Sequence, residues 1–233
     1  MAKKSELSLV TATDKESEEI ILQIIRRNFP DHAFLTEESP PMGKSSSRWI
    51  IDPLDGTTNF VHTFPIACVS IAYEEKGTVE FGGVYDPFRD ELFFAERGNG
   101  ATMNGAPITV SKNATLSDSL LCTGFPYDRR ERMDDYLKIF KDFTMKAVGI
   151  RRTGAAALDI CYVACGRYDG YWELKLQAWD KAAALLILEE AGGSSSNFKG
   201  DALTLEDIQN VATNGFIQKE MLGVLKPYEN FCK

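Results

Sequence analysis

The stretch that most restricts this chain is Trp49-Ile50-Ile51-Asp52-Pro53-Leu54-Asp55-Gly56-Thr57-Thr58-Asn59-Phe60. Residues 48–51 are an apolar β-run that breaks on Asp52-Pro53. Pro53 has no N–H to give a sheet ladder and fixes its own φ, so the strand is expected to stop there. Residues 55–59, Asp-Gly-Thr-Thr-Asn, are turn chemistry: small side chains and free backbone N–H groups. Two carboxylates, Asp52 and Asp55, therefore stand three residues apart on a stiff bend. The Thr57 hydroxyl is beside them, and Gly56 lets a ligand approach the backbone. Oxygen ligands next to a compact anion cradle suit a hard divalent cation together with a phosphate. The same pattern also fits a loop of solvated acids, since Asp-Pro and Asp-Gly are common turn pairs.

The rest of the sequence narrows that choice. With 233 residues, 44% hydrophobic and 26% charged, the chain has ordinary globular composition. No internal repeat, low-complexity linker or boundary divides it, and residues 1–233 read as a single domain. A net charge of −8 argues against nucleic acid or an anionic membrane as the main partner. An acidic protein that binds a phosphate ester needs local positive charge, which a metal supplies. No apolar run approaches the roughly 18 residues of a membrane span. The N-terminus lacks the hydrophobic core of a signal peptide. Five cysteines without framework spacing suit the reduced thiols of a cytosol, so a cytoplasmic location is expected. Cys161 and Cys165, four apart in a helical pattern, read as core. With only His32 and His62 available, carboxylates must hold any metal, which points to Mg²⁺, with Mn²⁺ as the alternative.

Taken in order, residues 1–8 are polar and expected to be loose. Thr13-x-x-Glu16 reads as a capping box for a helix that carries Ile20, Ile21, Ile24 and Ile25 on one face and stops at Asn28-Phe29-Pro30. Residues 33–36 read as a short strand ending in Glu37-Glu38-Ser39, where two adjacent acids would ordinarily be solvated. Strands over 66–74, 79–85 and 91–95, with hairpin signals at Gly98-Asn99-Gly100 and Asn104-Gly105, describe an antiparallel meander covered on at least one face. Further strands are expected over 119–123, 148–152, 169–173 and 210–213. A helix over 128–143 is expected to turn Met133, Leu137, Ile139 and Phe140 inward, and another runs from about 154 to 165. The class is α/β (α+β), with two sheets and intervening helices.

The last long helix begins Trp179-Asp180-Lys181, and residues 182–188 are apolar nearly all round. Asp180 fits a helix cap that favours the dipole. A helix buried this deeply also places its first acid where the sheets converge, as a third carboxylate beside Asp52 and Asp55. At this point the two stretches, residues 49–62 and the run from Trp179-Asp180 to Glu190-Ala191-Gly192-Gly193, resemble the two signature motifs of the inositol monophosphatase family. The likeness runs from about Leu9 to the C-terminus. It implies a layered αβαβα sandwich with two large sheets, of the sugar-phosphatase type.

What the resemblance implies for the site is specific. Glu37 would ligate a first metal with Asp52 and the Leu54 carbonyl, and Asp52 would bridge to a second metal shared with Asp55 and Asp180. Thr57 and Glu37 would position the attacking water, with Asp52 in the same catalytic group. The backbone of Gly56 and Thr57 would hold the phosphate, with Asp55, Gly154 and Ala156 near the substrate and Glu173 on the hydroxyls of a sugar alcohol. The implied activity is Mg²⁺-dependent, lithium-sensitive hydrolysis of a small polyol or sugar phosphate, foremost inositol 1-phosphate, by metal-activated water. Two or three Mg²⁺ per site would be expected, in a homodimer. Fructose 1,6-bisphosphate, histidinol phosphate and NADP are rival substrates. A catalytically silent phosphate-binding or interaction protein is the rival class. The resemblance also implies one more helix ahead of this segment, a lysine near the site at Lys3 or Lys4, and an aspartate where Ser8 stands. Apolar surface is accordingly expected on the helix over 20–25. Ser194-Ser195-Ser196 departs from the pattern in what is expected to be a loop.

Overall fold

The hydrophobic periods switch between strand and helix along the chain, and the computed structural model, which describes residues 2–3 and 9–231, follows them closely. A short antiparallel pair, β1 (Ala2–Lys3) and β2 (Leu9–Val10), leads into α1 (Ala12–Asn28). Next come β3 (Ala33–Thr36), β4 (Ser47–Asp55), α2 (Thr57–Val61), β5 (Cys68–Glu75), β6 (Thr78–Asp86), β7 (Glu91–Glu96), β8 (Ala101–Met103) and β9 (Ala106–Pro107). The second half contains β10 (Leu120–Thr123), α3 (Arg129–Thr144), β11 (Gly149–Arg151), α4 (Ala156–Ala164), β12 (Gly170–Leu174), α5 (Ala178–Glu190), β13 (Ser194–Ser196), β14 (Gln209–Thr213) and α6 (Gln218–Leu225).

Strands β3 to β9 form one seven-stranded sheet in sequence order. β3 and β4 are parallel, and the rest is the expected antiparallel meander. The second sheet has the order β11-β10-β12-β14-β13, parallel over its first three strands and antiparallel after. Leu22 and Ile25 seat α1 on Phe34 and Ile51 of the first sheet. Between the sheets lie α4 and α5, in a core that runs from Ile50, Val84 and Phe93 to Tyr171 and Ala212. Outside the second sheet, α3 and α6 pack Ile139, Phe143 and Met221 against Leu121 and Trp172. These layers are the mixed α/β sandwich anticipated above.

The composition of α5 follows from its place in the middle. A helix pressed between two sheets has no face for bulk on its first turns, so Ala182, Ala183 and Ala184 are small and buried. At Gly82 of β6 a Cβ would stand 2.6 Å from the Ala183 carbonyl oxygen, so this contact requires glycine.

Several local expectations are corrected. β4 does not stop at Asp52-Pro53 but runs to Asp55. Its pairing passes from Asp52 opposite Ser70 to Asp55 opposite Cys68, a bulge that places one extra residue in β4 where Pro53 has no N–H to contribute. The cap of α1 is Thr11 with Asp14, not Thr13 with Glu16: Thr11 Oγ1 accepts from the backbone of Thr13 and Asp14, and Asp14 accepts from the Thr11 N–H. The buried side of α1 is Asp14, Glu18, Leu22 and Ile25, while Ile20 and Ile24 are 52% and 59% exposed. The apolar surface expected on this helix is therefore present at those two residues. In α3, Tyr136 turns inward and Leu137 faces solvent, because the buried residues Tyr136, Ile139 and Phe143 recur at helical spacing and leave Leu137 off their stripe. Ser194–Ser196 is an edge strand rather than a loop, paired with β14. Lys4, Ser8 and the side chain of Lys3 lie outside the described residues.

Candidate active site

Four carboxylates from three chain segments line one cavity of about 390 Å³. Glu37 follows the end of β3, Asp52 and Asp55 flank the β4 bulge, and Asp180 is in the first turn of α5. The Leu54 side of the bulge, Gly56, Thr57, Gly154, Ala156 and Glu173 complete the same wall. Thus every residue expected at the site reaches this one cavity. The bulge explains the geometry of the central pair. An extra residue between Asp52 and Asp55 breaks the alternation that would otherwise send successive side chains to opposite faces.

The three aspartates are each aimed by a backbone donor. Asp52 Oδ1 accepts from Leu54 N (3.0 Å). Asp55 Oδ2 accepts from Ala157 N (2.8 Å), at the start of α4. Asp180 Oδ2 accepts from Gln177 N (2.7 Å), closing a capping box on α5. The capping role and the site role of Asp180 are therefore compatible: one oxygen serves the helix. Ala156, expected near substrate, also directs its N–H toward Asp55. Gly56 adopts φ +94° at the N-cap of α2, and a Cβ there would meet the Ile66 carbonyl oxygen at 2.9 Å. This left-handed residue lets the chain leave β4 and enter α2 with the backbone of Gly56 and Thr57 at the cavity wall.

The acids of this cluster act on one another. Burial pushes the Asp52 carboxyl well above the usual range, and the neighbouring Glu37, Asp55 and Asp180 push it further. Burial and then Asp55 do the same to Asp180. Burial raises Asp55 to about 6 despite the Ala157 N–H. As they stand, no three His, Cys, Asp or Glu side chains among the described residues are spaced as a finished coordination cage. The donor set nonetheless fits a hard cation: carboxylate and carbonyl oxygens, crowded and desolvated, without nitrogen or sulfur ligands. His32 is spent elsewhere, its Nδ1 accepting from Trp49 Nε1 (3.0 Å).

Two further residues shape the site. Thr57 Oγ1 lies 2.9 Å from Asp14 Oδ1 and 3.1 Å from the Leu54 carbonyl. Asp14 is fully buried and was missed by sequence reasoning, which treated residues 13–16 only as a cap. Glu173 receives the hydroxyl of fully buried Tyr171. Burial raises Glu173 to about 7, against the Tyr171 hydrogen bond and the nearby Arg152 guanidinium. Behind Asp180, Lys181 is buried and donates to the carbonyls of Thr204 (3.2 Å) and Asp207 (2.6 Å) and to Asn210 Oδ1 (2.9 Å), so its charge is directed away from the acids.

Comparison with known proteins places this geometry. The family model of the inositol monophosphatase family matches residues 1–229. An inositol-1-monophosphatase of Synechocystis sp. is 48% identical over 219 residues, covering 93% of this chain and 76% of the relative. A protein named Nus factor SuhB, from Pasteurella multocida, is 46% identical, covering 96% of this chain and 85% of its own length. The solved structure of inositol monophosphatase from Anabaena (Nostoc) sp. superposes with a TM-score of 0.91 at 48% identity, over 94% of this chain and 87% of that one.

Proposed function

The chain belongs to the inositol monophosphatase family, and from that premise we propose that it hydrolyses the phosphate monoester of a small polyol, inositol 1-phosphate first, with Mg²⁺ held by Glu37, Asp52, the Leu54 carbonyl, Asp55 and Asp180. The observation that carries this reading is the convergence of four acids, close enough to raise one another's pKa, on one cavity beside the N-terminus of α2. Bound divalent cations would neutralise the acids, polarise the ester and lower the pKa of a water.

The chain's own residues supply positioning. Donation from Thr57 to Asp14 turns the remaining lone pairs of Oγ1 toward the cavity, where they can accept from the attacking water. Glu37, on the same wall, accepts its second proton. The free N–H groups at Gly56 and Thr57 meet the phosphate oxygens. Glu173 binds the hydroxyls of the alcohol, with Tyr171 holding its carboxylate in place. A carboxylate there suits a polyol and opposes a second phosphate, which ranks inositol 1-phosphate above fructose 1,6-bisphosphate. Homodimerisation belongs to the same proposal.

Phosphate release from inositol 1-phosphate, fructose 1,6-bisphosphate, histidinol phosphate and NADP, with and without Mg²⁺ and with lithium added, tests it. Mg²⁺-dependent release led by inositol 1-phosphate is expected. Faster turnover of fructose 1,6-bisphosphate would overturn the substrate assignment. The likeness to a protein named Nus factor SuhB favours a second reading, in which the chain serves as such a factor. A folded protein that releases phosphate from none of the four would move the conclusion there.

A further inference from the structure

One buried carboxylate near the site does not line the cavity. Glu18 sits on α1, one turn after Asp14 and on the same buried side, with 3% of its surface exposed. Its Oε2 accepts from the backbone N–H of Glu38 (3.1 Å), and its Oε1 accepts from the hydroxyl of Ser39. Between the two acids, Ser17 Oγ donates to the Pro53 carbonyl (2.9 Å). Three consecutive inward positions of one helix therefore hold three separate segments of the site: Thr57, the β4 bulge and the 37–39 segment.

The need for Glu18 follows from where β3 ends. The ladder between β3 and β4 stops at Thr36 opposite Ile51. Beyond it the Glu37 N–H still reaches the Ile51 carbonyl (3.2 Å), and Pro40-Pro41 a little further on have no N–H with which to extend a ladder. The peptide before Glu37 is thus fixed by the sheet and the peptide after it by Glu18. Together they set the direction in which the Glu37 side chain leaves the backbone. We infer that Glu18 is a positioning residue for the cation site: by holding Glu38 N and Ser39 Oγ it keeps Glu37 aimed into the cavity, and it contributes to divalent-cation affinity without touching the ion. The inference rests on the cation-site reading proposed above.

The test titrates Mg²⁺ calorimetrically into metal-stripped protein and its variants, with circular dichroism confirming the fold and phosphate release measured across Mg²⁺ concentrations. Glu18→Ala is expected to weaken Mg²⁺ binding by about 10- to 100-fold, the usual cost of losing a residue that orients a ligand. Its maximal rate at saturating Mg²⁺ falls much less. Glu18→Gln is expected to stay within about threefold of the parent affinity, since its amide oxygen accepts from Glu38 N and its NH₂ can donate to Ser39 Oγ. Ser39→Ala, which leaves the Glu38 bond intact, falls between the two and decides the matter if Glu18→Ala does not fold. Equal loss in the Gln and Ala variants would overturn positioning by hydrogen bonds in favour of a role for the charge itself. Parent affinity in folded Glu18→Ala, or in Ser39→Ala where the first variant is unfolded, would overturn the inference outright. A parent protein that binds no Mg²⁺ would instead remove the cation-site reading on which it stands.

Discussion

Removing the cation should reverse the ordinary response of stability to pH. Asp55 is raised from 3.8 to about 6 and Glu173 from 4.5 to about 7, in both cases first by burial. An acid whose pKa is higher folded than unfolded binds more protons in the folded state. Its penalty is absent below the unfolded value, grows as pH rises between the two values, and is complete above the folded one. The windows are therefore 3.8 to about 6 for Asp55 and 4.5 to about 7 for Glu173. A gap of a little over two pH units is worth about 3 kcal/mol at 1.36 kcal/mol per unit. Water entering the open cavity screens both charges, which brings the pair together to about 3 kcal/mol. For a chain of this size that is about 6–12 °C in Tm.

The assay is thermal unfolding of metal-stripped protein between pH 4.5 and 8, repeated with saturating Mg²⁺. Without metal, Tm should fall as pH rises to 7. With Mg²⁺ the high-pH loss should be recovered, because a ligand that binds only the folded state stabilises it by mass action. Asp55→Asn should raise the metal-free Tm clearly more at pH 8 than at pH 4.5, where only about a third of its penalty has developed, which separates this residue from every other titrating group. A metal-free Tm that stays flat or rises through this range, with no gain from Asp55→Asn at pH 8, would refute the account of desolvated acids.

Three other outcomes are expected. Asp180→Asn keeps a side-chain oxygen for Gln177 N, so the fold should persist by circular dichroism while activity falls by several hundredfold, on the order of what loss of a catalytic metal ligand costs. Thr57→Ala should lower kcat more than it raises KM in steady-state assays, and Thr57→Ser should restore most of it, since in the proposed mechanism the hydroxyl held by Asp14 positions the water. Tyr171→Phe removes the hydrogen bond that favours the Glu173 anion, so the rise in KM for inositol 1-phosphate as pH falls through about 7 should move upward by about one pH unit, read from a pH profile of KM.

How much of this was legible depended on whether the physics was local. Asp52, Asp55, Gly56 and Thr57 lie in one short stretch whose turn chemistry already crowds two acids against a hydroxyl, and the structure keeps them together. Asp180 was legible because a helix apolar all round must be central, and α5 is. The end of β4 was misplaced because the missing N–H and fixed φ of Pro53 both argue for a stop. A bulge, which no propensity marks, lets the strand continue past it. Ser194–Ser196 has no apolar alternation to announce a strand, and only β14 beside it makes one.

The acids of α1 were the harder case, and the reason lies in what a charged residue on a helix ordinarily means. Acids four apart beside lysine and more glutamate read as a solvated face, and Ile20 to Ile25 then look like the face that packs. The sequence did contain a contrary signal: Asp14, Glu18, Leu22 and Ile25 advance by four, four and three residues, one stripe at helical period, so acids and apolar residues share the side that goes inside. A carboxylate on that stripe must find donors within the protein, because a buried charge without them is too costly to keep. The donors it finds are Thr57, Glu38 and Ser39, all on segments that shape the cavity. Buried acids on an otherwise ordinary amphipathic helix thus mark the segments that must be held still, and here those segments carry Glu37 and Thr57 to the cavity wall.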